Sequence, residues 1–231
     1  MHRKSSLNPV ELRDYLSKQL YHFFPDANKA SFWRTSVAVR IKMNLIEEAL
    51  DRTFNCFSVI NSPIYYSNGL TYFNHLNGDQ YASYLYFLSR VAYENGNEEL
   101  YYKSALLNKA LNGIDLFGHV KMPNYFLLVH PVGTVIGRAE FGDFLTVYQG
   151  VTIGGKHTVQ GKIEYPSIGD NVTIFSNASV LGSSKIGDNC VIGANASIMS
   201  KDYSMPNKLI TGGFKENRVQ DLKSKNNFFK G

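Results

Sequence analysis

With only two cysteines, one tryptophan and no long apolar run in 231 residues, several classes of protein are excluded at once. Cys56 and Cys190 lie far apart without CxxC spacing, so neither a disulfide framework nor a zinc site is expected, nor any other metal. No stretch of about 18 apolar residues occurs, and the opening MHRKSSLNPVELRDYL lacks the apolar segment of a secretory leader. A soluble, cytoplasmic protein without a membrane span is the expectation. Charged residues amount to 19 %, below the roughly one quarter of an average chain, which argues against a coiled coil or a disordered chain. Hydrophobic residues reach 44 %, enough to build a core.

The net charge of +5 is not a nucleic-acid signature. Residues 215–231 carry Lys215, Arg218, Lys223, Lys225 and Lys230 against Glu216 and Asp221, five minus two, so +3 of the +5 sits in the last 17 residues. No nucleic-acid motif accompanies it, and the expectation is a solvated basic tail.

The chain changes character near residue 115. Before it, apolar residues recur at helical spacing in VELRDYLSKQLYHFF and VAVRIKMNLIEEALDRTF. Asn8-Pro9 suits a helix start, and Ser31 or Ser36 is a candidate cap for the second helix. A third helix is expected over Asp79 to Tyr93, broken by Asn95-Gly96-Asn97, and a fourth from Glu98 to Asn112, ended by Gly113. The Tyr and Phe stripe on these segments reads as packing. Residues 1–113 are thus expected to be an all-helical domain.

After residue 115 a period of six takes over. Val129, Val135, Phe141, Val147 and Ile153 are followed, after one break, by Ile168, Ile174, Val180, Ile186, Ile192 and Ile198. Eleven apolar positions in a row have a chance probability of about 10⁻⁴ at this composition, before allowing for choice of phase. Each hexad is read as one short flat strand plus a corner, and three hexads as one coil of ~18 residues, which makes residues 114–214 a parallel β-helix. Corners rich in Gly, Asn and Asp supply the tight backbone geometry. Cys190 falls on a small-residue position of the repeat and is read as filler. Gly150-x-x-x-x-Gly155-Lys156 imitates a phosphate loop, but His157 stands where Ser or Thr would bind magnesium. The sequons at Asn171, Asn177 and Asn195 lie on the repeat and are not read as glycan sites. The one break, GGKHTVQGKIEYPS, is a polar excursion from the prism and the natural place to look for function.

The segment HPVGTVIGRAEFGDFLTVYQGVTIGG, with YPSIGDNVTIFSNASVLGSSKIGDNCVIGANASIM after it, resembles the serine O-acetyltransferase branch of the hexapeptide acyltransferases. The resemblance spans about residues 70–214 and is dense from 129 to 199. It implies an α+β chain, a helical domain followed by a left-handed parallel β-helix, with acetyl-CoA as co-substrate and assembly as a homotrimer or dimer of trimers. His130, in His130-x-x-Gly133-x-x-x-Gly137, matches the segment carrying the catalytic base, and Asp115, 15 residues upstream, matches its acidic partner. The resemblance also implies CoA contacts at Gly155, Ser176 and Ala194, with Lys156 and Asn195 beside them and Gly154-Gly155 as N–H donors. Lys201, Lys208 and Lys215 are candidates for the CoA phosphates.

The departures matter as much. Serine-specific members place Asp before the histidine where this chain has Val129, and Arg-His-Pro where it has Glu164-Tyr165-Pro166. No match for a further acid is found around Asn61-Ser62-Pro63, and the corner after Gly137 is one residue short. The expectation is an O-acetyltransferase whose acceptor is a saccharide hydroxyl of surface-polysaccharide synthesis, slightly preferred, or L-serine. Tyr165, Glu164 and His157 are the candidate acceptor contacts. The alternatives are an N-acyltransferase on an amino sugar nucleotide and a non-catalytic β-helix scaffold. The ending Phe228-Phe229-Lys230-Gly231 does not support docking to the next enzyme of cysteine synthesis.

Overall fold

The computed structural model describes residues 3–25, 41–224 and 227–230. Four helices form the first part of the chain: α1 (Pro9–Phe23), α2 (Met43–Phe57), α3 (Gly78–Glu94) and α4 (Glu98–Asn112). α1 starts where Asn8 and Glu11 satisfy each other's backbone: Asn8 accepts from the N–H groups of Val10 and Glu11, and Glu11 accepts from that of Asn8. Asn77 and Asn97 accept from Gln80 and Leu100 in the same manner, so the Asn-rich breaks are caps for α3 and α4. α2 begins at Met43 after Lys42, which makes no side-chain cap bond. The expected caps Ser31 and Ser36 lie outside the described residues.

The first domain is not wholly helical. Arg3–Ser5, Tyr66–Ser67 and Leu70–Phe73 form a three-stranded sheet. Its hairpin turns at Asn68-Gly69, both with positive φ (53° and 76°), the backbone that Asn-Gly adopts at least cost. Gln80 locks this hairpin region to α3, accepting from Asn74 N–H and donating to the Ile64 carbonyl. Tyr81, Tyr84, Tyr86 and Phe87 on α3 are all buried, as the packing reading of the aromatic stripe expects.

From Phe126 on, the strands build a triangular prism with three parallel faces. The first face holds Phe126–Val129, Leu145–Tyr148, Thr173–Ile174, Val191–Ile192 and Lys208–Gly212, and the second Val135–Ile136, Thr152–Gly154, Ser179–Leu181 and Ser197–Met199. The third holds Glu140–Phe141, Ser167–Ile168, Lys185–Ile186 and Asp202–Tyr203. Ile174 sits over Ile192, Ile168 over Ile186 and Val180 over Ile198, all buried, so the six-residue period is the stacking of inward side chains. The corners use left-handed backbone at Asn171, Asn177, Asn189, Asn195 and Asn207, which places all three sequon asparagines at corners. The hydrophobic core runs without interruption from the helices into the prism through Ile114, Leu116 and Phe126.

The period slips in the first coil. Leu128 pairs with Val147 and Ile136 with Ile153, and these two are buried, whereas the expected Val129 is half-buried and Val135 is 42 % exposed. Both neighbours are apolar in each case, so hydropathy does not set the phase there; the corner length does.

The described part of the basic tail is largely exposed, yet it packs back onto the chain at two places. Asn217–Asp221 returns antiparallel onto Lys208–Gly212. Phe228 and Phe229 then reach the helical domain, where the Phe228 carbonyl accepts from Asn61 N–H at 2.7 Å and Phe229 bridges Ile60. Their rings meet Tyr148 and Phe144 on the outside of the first face. Among the described residues no helix is long and apolar enough to cross a membrane.

Candidate functional site

His130 stands on an enlarged corner between the first and second faces. Six steps separate Val129 from Val135, whereas four separate their partners Tyr148 and Thr152 in the next coil. Two residues are therefore extra, and they push the corner outwards. His130 itself has φ +47°, a conformation that side-chain-bearing residues adopt at a cost and that functional corners commonly keep. Its side chain is 79 % exposed.

The carboxylate facing His130 belongs to Asp79, in the first turn of α3. Asp79 Oδ1 accepts the backbone N–H of His130 at 3.1 Å, and Oδ2 lies 3.7 Å from Nδ1. Burial raises the pKa of the Asp79 carboxyl above the usual range, while the His130 N–H and ring pull it the other way. Nothing in the local sequence marks this residue, because the contact spans 51 positions and depends on how the start of α3 meets the prism.

Asp115 has a different partner. Its Oδ2 accepts from Lys109 Nζ at 2.6 Å, a pairing made when the turn at Gly113 folds the chain back past the end of α4. Its backbone forms the rung above the second face, donating N–H to Thr134 and accepting from Ile136. Asp115 is thus one coil above the enlarged corner, and among the described residues the acid within ion-pairing distance of His130 is Asp79.

The remaining candidates fall into two groups on the two edges of the second face. Ser176, Ala194 and Asn195 lie down the same corner column as His130: Asn195 N–H bonds to the Ser176 carbonyl, and Asn177 N–H to that of Gln149. Ala194 and Asn195 are exposed, so this column presents small side chains to solvent. Gly154, Gly155 and Lys156 lie across the width of the face, roughly 15 Å for five extended residues.

There the excursion forms a hairpin, Lys156–His157 against Ile163–Glu164. Gly155 permits it: a Cβ at that position would run into the Ile163 side chain and the Tyr165 ring. Tyr165 is stacked under the Arg138 guanidinium at 5.4 Å. Within one chain the structure does not bring His157, Glu164 and Tyr165 to His130. The phosphate-loop imitation ends in this hairpin, with no helix following.

Of the cationic candidates, Lys201 Nζ donates to Asn217 and Lys208 Nζ to Asp221, so both close the end of the prism rather than stand free; Lys215 is exposed. Cys190 is buried within the repeat as filler, and among the described residues no three His, Cys, Asp or Glu side chains are placed to hold a metal ion.

Comparison with known proteins agrees with this architecture. Residues 165–199 match the family model for the bacterial transferase hexapeptide (six repeats). A serine acetyltransferase of Staphylococcus aureus (strain Mu50 / ATCC 700699) is 41 % identical over 81 residues, 35 % of this chain and 38 % of the relative, so the match spans well under half of that protein. The crystal structure of Neisseria gonorrhoeae serine acetyltransferase superposes with a TM-score of 0.67 at 23 % identity, covering 94 % of this chain and 80 % of that one. That of Brucella abortus strain S19 serine acetyltransferase in complex with coenzyme A gives 0.65 at 15 % identity, over 96 % and 85 %. The chain carries the hexapeptide repeat, resembles the serine O-acetyltransferase branch, and shares the fold of a helical domain followed by a left-handed β-helix.

Proposed function

We propose that the protein is an acetyl-CoA-dependent O-acetyltransferase with His130 as general base. The observation that carries this reading is His130 itself: an exposed imidazole on a left-handed, enlarged corner, at the position that matches the base of the serine O-acetyltransferase branch. His130 Nε2 takes the proton of an acceptor hydroxyl while that oxygen attacks the thioester carbonyl of the donor substrate. The backbone N–H groups of Gly154 and Gly155 are the donors offered to the oxyanion, and the imidazolium returns the proton to the departing thiolate. Asp115 is the acid that the family spacing offers as His130's partner.

A pantetheine arm suits the corner column of half-buried Ser176 and exposed Ala194 and Asn195, where short side chains leave the backbone within reach. For His130 and Gly154-Gly155 to serve one substrate, the two edges of the second face must meet between neighbouring subunits, as they do in a trimer.

For the acceptor we infer a saccharide hydroxyl ahead of L-serine, in surface-polysaccharide synthesis and in the cytoplasm. Val129 and Glu164-Tyr165 remove the acid and the arginine that would pair with an amino acid's ammonium and carboxylate. The test is calorimetry with CoA and acetyl-CoA on the wild type and His130→Ala, followed by acceptor-dependent thiol release. Binding by both proteins with transfer lost only in the variant supports the mechanism. Transfer that survives His130→Ala overturns it, and absence of CoA binding overturns the enzyme reading in favour of a scaffold. Mass analysis of products from serine, sugars and amino sugar nucleotides then identifies the acceptor and separates O- from N-acylation.

A further inference from the structure

We propose that Asp79 is the positioning residue for His130: one carboxylate oxygen fixes the histidine backbone in its left-handed turn, and the other sets the ring with Nε2 facing the acceptor. The inference rests on the acetyltransferase reading and adds to it a residue from the helical domain.

Three observations lead here. Asp79 Oδ1 accepts the N–H of His130 at 3.1 Å, so a carboxylate holds the one backbone group whose direction is set by φ +47°. The second oxygen is 3.7 Å from Nδ1. That exceeds a hydrogen bond in the free chain, yet a small rotation of an exposed ring closes it, and catalytic contacts commonly tighten when substrate binds. The side chain of Asp79 is only 19 % exposed and starts a helix whose N-terminal dipole favours an anion, so the charge is held in one place.

The alternative acid, Asp115, is already bonded to Lys109 Nζ at 2.6 Å. A carboxylate beside Nδ1 selects the tautomer protonated there and leaves the Nε2 lone pair for the acceptor hydroxyl. His130 and Tyr65 are the titratable groups that sense the Asp79 charge. In this arrangement the helical domain is part of the active site: without α3 the base has neither its backbone anchor nor its ring partner.

The experiment uses the full chain with the best acceptor found for the wild type. Asp79→Asn keeps an oxygen for the His130 N–H but removes the charge, and Asp79→Ala removes both. Expected is a fall in kcat on the order of 10²-fold for Asp79→Asn, with the KM for acetyl-CoA and the melting temperature unchanged. Asp79→Ala is expected to lose more, and Asp79→Glu to recover part. Wild-type kcat in Asp79→Asn, or a loss that appears only together with a lower melting temperature, overturns the assignment; so does a larger loss in Asp115→Asn than in Asp79→Asn.

A second readout needs no turnover. Long-range ¹H–¹⁵N spectra of the His130 ring are expected to show the proton on Nδ1 in the wild type and a shift towards Nε2 in Asp79→Asn. An unchanged tautomer overturns the proposal. A wild type without transferase activity refutes the acetyltransferase reading alone, while the ring spectra still decide on Asp79.

Discussion

Asp188 reaches one coil back and accepts the backbone N–H of Asp170 through Oδ1 at 2.9 Å. Asp170 does the same for Asp143 at 2.8 Å, and Asp143 for Asn124 at 2.9 Å. One corner of the prism is thus a ladder of carboxylates, each receiving a backbone donor that the flat strands leave unpaired. Solvent-exposed bonds of this kind contribute about 0.5–1.5 kcal/mol each. Asp170→Ala, in the middle of the ladder, is expected to lower stability by roughly that amount, measured as a shift in the urea midpoint without a change in slope. Asp170→Asn keeps an acceptor and is expected to lose less.

Gly150 occupies the corner below His130's with φ +69°, and a Cβ there would land on the Asn177 side-chain oxygen. Gly150→Ala is expected to cost at least about 1–2 kcal/mol from the left-handed backbone alone. Repositioning of Asn177 adds to this. Denaturant titration gives the cost, and CoA calorimetry reports whether the corner column has moved.

Phe229 is one of several residues that attach the tail, with its ring 5.4 Å from that of Phe144 and its backbone bridged to Ile60. Phe229→Ala removes part of a half-buried ring and is expected to destabilise by about 1–2 kcal/mol. Limited proteolysis is expected to show the segment after Asp221 cleaved faster in the variant, with the prism intact.

Glu94 joins Arg52 at 2.7 Å and Arg90 at 2.7 Å, bracing α2 against α3. Burial by itself would raise the Glu94 pKa, but the two guanidinium groups outweigh it and hold the carboxyl below its usual value of 4.5. A depressed carboxyl pKa gives stability that is present above the ordinary value and lost as the pH falls through the folded-state value. Melting temperatures from pH 7 down to pH 3 are therefore expected to fall less steeply in Glu94→Gln than in the wild type.

Cys56 is fully buried and its thiol is pushed up to about 12 by that burial, although it donates to the Phe126 carbonyl at 3.2 Å. Burial raises the Cys190 thiol as well. Neither is expected to react with a thiol reagent at pH 8 until the chain unfolds. The time course of labelling in denaturant checks this, since it should follow the loss of structure.

The repeat was legible because an inward side chain must return on every flat strand, and that requirement is written in hydropathy from Val147 to Ile198. Leu128 and Ile136 escaped because their neighbours Val129 and Val135 are equally apolar; only the two extra corner residues reveal the phase, and a loop's length carries no hydrophobic signal. The helix starts at Asn8 and the end at Gly113 were legible as local chemistry. The pairing of His130 was not, since a spacing argument places backbones and says nothing of where a lysine such as Lys109 sends its ammonium. Phe228-Phe229, the two aromatic residues of the basic tail, were the sequence sign that this segment docks.

Asn217 closes the far end of the prism. Its side chain accepts from Lys201 Nζ and the Tyr203 hydroxyl and donates to the carbonyls of Ser197, Gly212 and Gly213. The strand it begins runs antiparallel to the last strand of the first face, with Arg218 and Asp221 exposed. At the opposite end, the backbone of Asp115 leads directly into the helical domain. A stack of coils with bare ends would be a template for adding another stack, the route by which strand edges grow into fibres. Here a reversed, charged strand covers the end of the first face, and the Asp115 backbone covers the start of the second. At those two edges the covered rungs leave no bare strand for another stack to continue.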